Sequence, residues 1–168
     1  MAVFSGGNVS LNLGVLQLSG EFSDADRQCA WELYTELRTR GALHDHPTSE
    51  NELMSEVLDS LYTFFSEARG IMKRFPVGRL GTDIYHLGFL IDDLLNNYLR
   101  PFLNEWQADF RYWWQSQADQ QLPPLTRQGY YPYFEEMMSD HVVLKLAMKE
   151  TLDMLVQAYD LLPPQSTE

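Results

Sequence analysis

The chain has 168 residues, which is long enough for one domain with its own hydrophobic core. Hydrophobic residues make up 45% of it, and this share excludes wholesale disorder. The 24 acidic and 12 basic side chains give a formal net charge of −12, so the protein repels nucleic-acid phosphates unless its cations gather on one face. The only dense basic cluster is Arg69, Lys73, Arg74 and Arg79, and we therefore expect no nucleic-acid partner.

The chain contains a single cysteine, Cys29, so it forms no intrachain disulfide and a reducing compartment is expected. The first residues lack the charged region and apolar core of a secretion signal. No apolar run approaches the ~20 residues that span a bilayer. These features predict a cytoplasmic protein without a membrane partner.

Residues 1–20 carry no charged side chain and alternate in hydrophobicity. Val9, Leu11 and Leu13 alternate with Ser10 and Asn12, and a period of two predicts a short strand or hairpin. A lone hairpin is only marginally stable in water. We therefore expect this β element to lie against the rest of the protein or to bind another chain through its three apolar side chains.

The next two segments have the spacing of amphipathic helices. Ser23 is a predicted N-cap, and the first helix runs from there to about Arg40. Ser49, with Glu52 three residues later, has the pattern of a capping box for the second helix. That helix is predicted to continue to Arg74.

The third predicted helix starts near Thr82 and contains Pro101 within its apolar stripe, so a kink is expected there. Trp106 continues the stripe and is predicted to be buried. Residues 115–127 are predicted to form a loop. An aromatic run over 130–134 then leads into the last helix, which ends at about Leu162, before two prolines.

These elements predict an all-α protein. Residues 21–162 are expected to form an antiparallel four-helix bundle, because amphipathic helices joined by short loops pack in this way. Residues 1–20 would form the short N-terminal β-strand or hairpin, and residues 163–168 a disordered tail.

No metal, cofactor or catalytic site is expected. His44 and His46 have no third ligand in a compelling position, and zinc requires at least three protein ligands. Asp83 and His86 have the carboxylate-x-x-His spacing of di-iron bundles, but the second copy that such a site needs is absent.

Two alternative functions stay open. Arg79 and His86 match the loose Arg-x(4–6)-His spacing of HEPN-type ribonucleases, in which histidine acts as a base and arginine stabilises the phosphoryl transition state. The second alternative is an acidic decoy of nucleic acid. The mixing of acids with lysine and arginine disfavours the decoy.

Three tryptophans are candidate partner-binding residues. Trp31 lies beside the stripe of the first helix. Trp113 and Trp114 are adjacent, and neighbours on a helix point about 100° apart, so both cannot enter one core. One of the pair is expected at a protein-contact patch rimmed by acids, unless residues 130–134 fold back and cover both indoles.

Three blocks carry a family resemblance: A-W-E-L-Y-T-E-L-x-T-R at 30–40, L-Y-T-F-F-S-E-A-R at 61–69 and L-N-N-Y-L-R-P-F-L-N-E-W at 95–106. They resemble a poorly characterised family of small bacterial all-helical proteins from conflict and anti-phage gene neighbourhoods, the CATRA-associated small proteins. The resemblance covers roughly residues 9–106. It implies a non-enzymatic accessory or regulatory subunit that binds a larger effector protein, and self-association is a second option.

Overall fold

The computed structural model describes residues 24–40, 52–75, 87–117, 121–159 and 161. The all-α class is confirmed, since these residues are mostly helical and include no strand. The predicted β element with Val9, Leu11 and Leu13 lies outside them, as do residues 163–168. The helices are α1 Asp24–Thr39, α2 Met54–Arg74, α3 Leu87–Asp93, a π-helical segment Leu94–Leu99, α4 Arg100–Ser116, α5 Pro124–Gln128 and α6 Phe134–Tyr159.

Helix α1 agrees closely with its sequence pattern. Asp24 and Asp26 lie in its first turn, where carboxylates interact favourably with the positive end of the helix dipole. Leu33 and Leu37 are buried with no exposed surface. Cys29 is buried beside them, and burial raises the pKa of its thiol to about 11. The thiol therefore stays protonated and acts as a small apolar side chain.

The start of α2 differs from the prediction. Glu52 and Leu53 are not helical, and the helix begins at Met54, so the expected capping box from Ser49 to Glu52 is wrong. The amide of Gln128 caps this helix instead: its Oε1 accepts a hydrogen bond from the Met54 N–H at 2.9 Å, and its Nε2 donates to the Glu52 carbonyl at 2.9 Å. A side chain 74 residues away in sequence therefore sets the start of α2.

Replacing Gln128 with alanine should destabilise the protein by about 1–3 kcal/mol, because it leaves the buried Met54 N–H without an acceptor. Gln128 is itself 3% exposed. The measurement is the free energy of unfolding from urea denaturation. Gln157→Ala, on the exposed side of α6, is the matched control and should change stability by less than about 0.5 kcal/mol. Equal effects of the two substitutions would contradict the capping role.

The chain passes through Pro101 without ending the helix, as the sequence predicts. Proline has no N–H, and its ring crowds the carbonyl four residues earlier. The helix accommodates it with the π segment directly before α4, where the Arg100 N–H donates to the carbonyl of Leu95. The irregularity at Pro101 is therefore one wide turn between α3 and α4. Such a π-bulge usually consists of a single turn inside an α-helix.

The segment predicted as a loop between 115 and 127 is partly helical. Helix α4 extends to Ser116, and the short helix α5 starts at Pro124. Proline suits the first position of a helix because the N–H that it lacks would have no intrahelical acceptor there. Pro123 and Pro124, which led to the prediction of a loop, therefore form the start of a helix.

The helices enclose one apolar core. Helix α1 packs against α2 and α6, α2 packs against α4, and α6 packs against both the π segment and α4. Within the described ranges, no helix is both long and apolar enough to cross a membrane. The largest fully buried side chains come from α1, α2, α3, the π segment, α4 and α6: Leu33, Leu37, Met54, Leu61, Phe64, Ile71, Ile91, Leu94, Leu99, Phe102, Phe110 and Met137.

Candidate interaction surface

An aromatic cluster forms where the end of α4 meets the segment that leads into α6. We define it as Phe110, Trp113, Trp114, Tyr131 and Tyr133. Phe110 is its buried base, 1% exposed, and its ring centroid lies 5.8 Å from each indole and 5.1 Å from Tyr131. Aromatic pairs at these separations attract each other beyond their burial.

Tyr131 attaches the segment before α6 to α4. It is 3% exposed, and its ring lies 5.3 Å from Trp113 and 5.9 Å from Tyr133. Its hydroxyl donates a hydrogen bond to Asp109. Burial and this carboxylate raise the pKa of the Tyr131 phenol far above its usual value, so it stays protonated and keeps donating.

Arg127 covers the second indole. Its guanidinium carbon lies 3.6 Å from the centroid of Trp114, and its Nη1 donates to the Gln117 carbonyl at 3.2 Å. A cation over an indole face is attracted by the ring quadrupole. Trp113 and Trp114 are both half-buried, with their centroids 6.2 Å apart. Tyr131 of the aromatic run and Arg127 of α5 thus supply the cover that the adjacent indoles require.

The cluster still presents aromatic surface to solvent. Tyr133 is 49% exposed, and Trp113 and Trp114 are half-buried. Outside the cluster, Tyr112 and Tyr130 lie next to its members in sequence and are 77% and 66% exposed. Acidic groups border the cluster, since the charges of Asp109 and Glu105 both contribute to the raised pKa of Tyr131. Exposed rings with an acidic edge are suited to contact with lysine or arginine side chains.

A cleft of about 290 Å³ adjoins the cluster between α2 and α4. Phe110 and Trp114 line one side of it, and Asp59 and Arg111 form an ion pair of 2.7 Å beside them. Both partners of this pair are more than half exposed, so it contributes little to stability. The cleft therefore continues from the cluster toward α2 with a mixed polar and apolar lining.

Trp31 stands apart from this cluster. It is 49% exposed on α1 and stacks on Tyr34 with the ring centroids 5.5 Å apart. Among the described residues, no ring contact connects it with Trp113 or Trp114. The structure therefore brings two of the three predicted tryptophans together and leaves the third on another helix.

A buried polar group on α6 went unrecognised in the sequence. His141 has no exposed surface, and its Nδ1 lies 4.0 Å from Oε2 of Glu52, whose Oε1 pairs with Lys145 at 3.2 Å. Neither ring nitrogen of His141 has a hydrogen-bond partner in the described part of the chain. Burial, and then the charge of Lys145, lowers the pKa of His141 to about 4. His141 lies four residues after Met137 and three before Leu144, both of which are buried. This helical spacing is the sequence signal that could have predicted its burial.

The structure gives no geometry for the histidine and arginine motifs that the sequence offered as catalytic or metal-binding candidates. Arg79, His86 and the pair His44 and His46 lie outside the described residues. Within those residues, no group of three or more histidine, cysteine, aspartate or glutamate side chains is arranged to hold a metal ion.

Comparison of the chain with protein-family models, curated proteins and solved structures gave no match.

Proposed function

We propose that this protein is a non-enzymatic accessory subunit that binds a larger effector protein through the aromatic cluster. The observation that carries the proposal is the partly exposed set of rings around Trp113 and Tyr133, held in place by buried Phe110 and Tyr131. Large, rigid aromatic side chains dominate the binding energy of protein interfaces, and a preorganised cluster loses little entropy on binding.

The charge of the surface favours a basic partner segment. Glu105 and Asp109 border the cluster, and the whole chain carries a net charge of −12. Such a field accelerates encounter with positively charged proteins and disfavours nucleic acid. The family resemblance suggests that the effector belongs to a cytoplasmic bacterial anti-phage system.

The proposed scaffold is an antiparallel four-helix bundle in which α3, the π segment and α4 form one rod. Contacts between α2 and α4 support it: Arg111 pairs with Asp59, whereas Arg100, eleven residues earlier, lies over the ring of Phe65. Residue numbers thus rise along one helix as they fall along the other. Residues 1–20 would add a β element whose Val9, Leu11 and Leu13, together with Trp31, extend the contact with the partner.

Substitution of Tyr133 by serine should abolish recovery of the partner without unfolding the protein, because this ring is half exposed. The affinity-tagged chain is purified from its native host, and bound proteins are identified and quantified by mass spectrometry. Wild type should retain one larger protein in near-stoichiometric amount. Tyr62→Ser is the matched control, since Tyr62 is 57% exposed on α2 and lies outside the cluster.

Equal recovery with Tyr133→Ser and with Tyr62→Ser would contradict the assignment of the surface. RNA cleavage by the pure wild-type protein, lost on His86→Ala, would instead support the ribonuclease hypothesis for Arg79 and His86.

A further inference from the structure

A second cleft, of about 230 Å³, lies between α2 and the π segment. One wall is a row of α2 side chains spaced four residues apart: Phe65, Arg69 and Lys73. The facing wall is a similar row from α3 through α4: Asp92, Asn96 and Arg100. Residues four apart share one face of a helix, so each row points into the cleft along its length.

The cleft gathers positive charge on a strongly acidic protein. Arg69, Lys73 and Arg100 line it, and none of them forms an ion pair with another described residue. Arg74, next to Lys73 in sequence, turns instead to Glu32 of α1 at 2.7 Å. Arg100 does not belong to the basic cluster of the sequence, which runs from Arg69 to Arg79. It lies beside Arg69 and Lys73 because α4 packs on α2.

Two of these cations share one ring. The guanidinium carbons of Arg69 and Arg100 lie 5.6 and 5.4 Å from the centroid of Phe65. The two guanidinium carbons are therefore at most about 11 Å apart, and an anion bound near both would be attracted by two positive charges. Both side chains are exposed, so their N–H groups are accessible for paired hydrogen bonds to a carboxylate.

The cleft is small, and part of its lining is apolar. Met72 and Leu95 complete the cleft beside Phe65. Its volume lies below the ~300–1,000 Å³ of sites that enclose a small molecule, so it accommodates one or two side chains. Among the described lining residues, Asp92 is the one acid, and it accepts a hydrogen bond from Asn96 at 2.6 Å.

We propose that this cleft binds an acidic peptide segment of a partner protein, with a glutamate or aspartate carboxylate between Arg69 and Arg100 and an adjacent apolar side chain on Phe65, Met72 and Leu95. This site is separate from the aromatic cluster and holds the opposite charge. Together the two surfaces match a partner that carries both basic and acidic segments.

A peptide is favoured over phosphate and over RNA by the apolar part of the lining and by the short extent of the cleft. Inorganic phosphate would reach the cations but would leave Phe65, Met72 and Leu95 without an apolar contact. RNA would follow a long positive track, whereas this cleft presents three described cations, Arg69, Lys73 and Arg100, in a chain of net charge −12. The apolar lining provides contact for a peptide side chain that neither competitor possesses.

The test uses the whole protein and a fluorescein-labelled peptide of alternating glutamate and leucine, and it measures binding by fluorescence anisotropy. The double variant Arg69→Gln with Arg100→Gln should weaken peptide binding at least about tenfold, because two charge-assisted contacts are lost. The matched control, Arg27→Gln with Arg38→Gln on exposed positions of α1, removes the same charge and should change affinity less than about twofold.

Further arms separate the possible ligands. Any binding of a lysine–leucine peptide to the protein should not weaken in the Arg69→Gln, Arg100→Gln variant, and neither inorganic phosphate nor a short single-stranded RNA should displace the acidic peptide at equal concentration. Equal weakening by both double variants, or tighter binding of phosphate or RNA, would overturn the proposal. The aromatic cluster is intact in every variant, so this result is independent of the Tyr133→Ser experiment.

Discussion

Trp106→Ala should destabilise the protein by about 3–5 kcal/mol, the range for removing a fully buried aromatic side chain. The indole is 2% exposed and lies in the core of α4. Its Nε1 donates a hydrogen bond of 3.0 Å to Oδ2 of Asp140 on α6, which is itself 1% exposed. The substitution therefore leaves a cavity and removes a buried contact between two helices. Urea denaturation monitored by circular dichroism measures the loss.

Trp106→Phe separates packing from hydrogen bonding, because it retains an aromatic ring but has no N–H. This variant should lose about 1–3 kcal/mol, mainly through the buried Asp140 acceptor. Trp31→Ala is the control for a half-exposed indole and should cost clearly less than Trp106→Ala. A loss below about 1 kcal/mol for Trp106→Ala would show that the indole is not part of the core.

The stability of the protein should fall as the pH drops from about 6.5 to about 4, and His141 should cause about 3 kcal/mol of that fall. The pKa of His141 is about 4 in the folded protein and near 6.5 when unfolded. The unfolded state therefore binds the proton first as the pH decreases. Above pH 6.5 both states are neutral at this position, and its contribution no longer depends on pH.

The charges around His141 act in opposite directions. Lys145 disfavours the imidazolium, whereas the Glu52 carboxylate, 4.0 Å from Nδ1, would favour it. The Glu52 carboxylate is itself paired with Lys145. Burial has the largest effect on the pKa of His141, and the charge of Lys145 lowers that pKa further. The pKa is measured directly by following the His141 ring protons with NMR over this pH range. A folded-state pKa above 6 would contradict this account.

His141→Gln should flatten the pH dependence of unfolding between pH 6.5 and 4, since glutamine does not titrate. Gln128→Ala, which also destabilises the protein but removes no titratable group, is the control and should leave the slope unchanged. The contrast between the two variants assigns the proton to His141 even if both lose some stability at neutral pH.

Local spacing in the sequence predicts much of the helical structure. The stripe through Leu33 and Leu37 places α1 within one residue of its observed bounds, and α2 ends at Arg74 as predicted. The burial of Trp106 follows from its place in the stripe beyond Pro101. These features depend on side chains three and four residues apart in the same helix. The local sequence therefore specifies them, whichever helix packs against that face.

The candidate site was only partly predictable. The pair Trp113 and Trp114 indicated that a covering segment or a partner was needed, since adjacent side chains diverge on a helix. Their sequence did not reveal that Tyr131 lies beside Trp113 or that Arg127 lies over Trp114. The composition of this segment predicted a loop around Arg127. In the structure Arg127 lies in α5, and this short helix places the guanidinium over Trp114.

The sequence by itself determined most of α1, α2, α4 and α6 and the apolar faces of these helices, because both are set by interactions within one turn, whereas it did not predict α5 or the start of α2. Only the tertiary structure decided that Gln128 caps α2, that Arg100 joins Arg69, and that His141 is buried near Glu52. Each of these contacts joins residues more than thirty positions apart. Their geometry depends on how the helices pack together, and no local repeat in the chain specifies it.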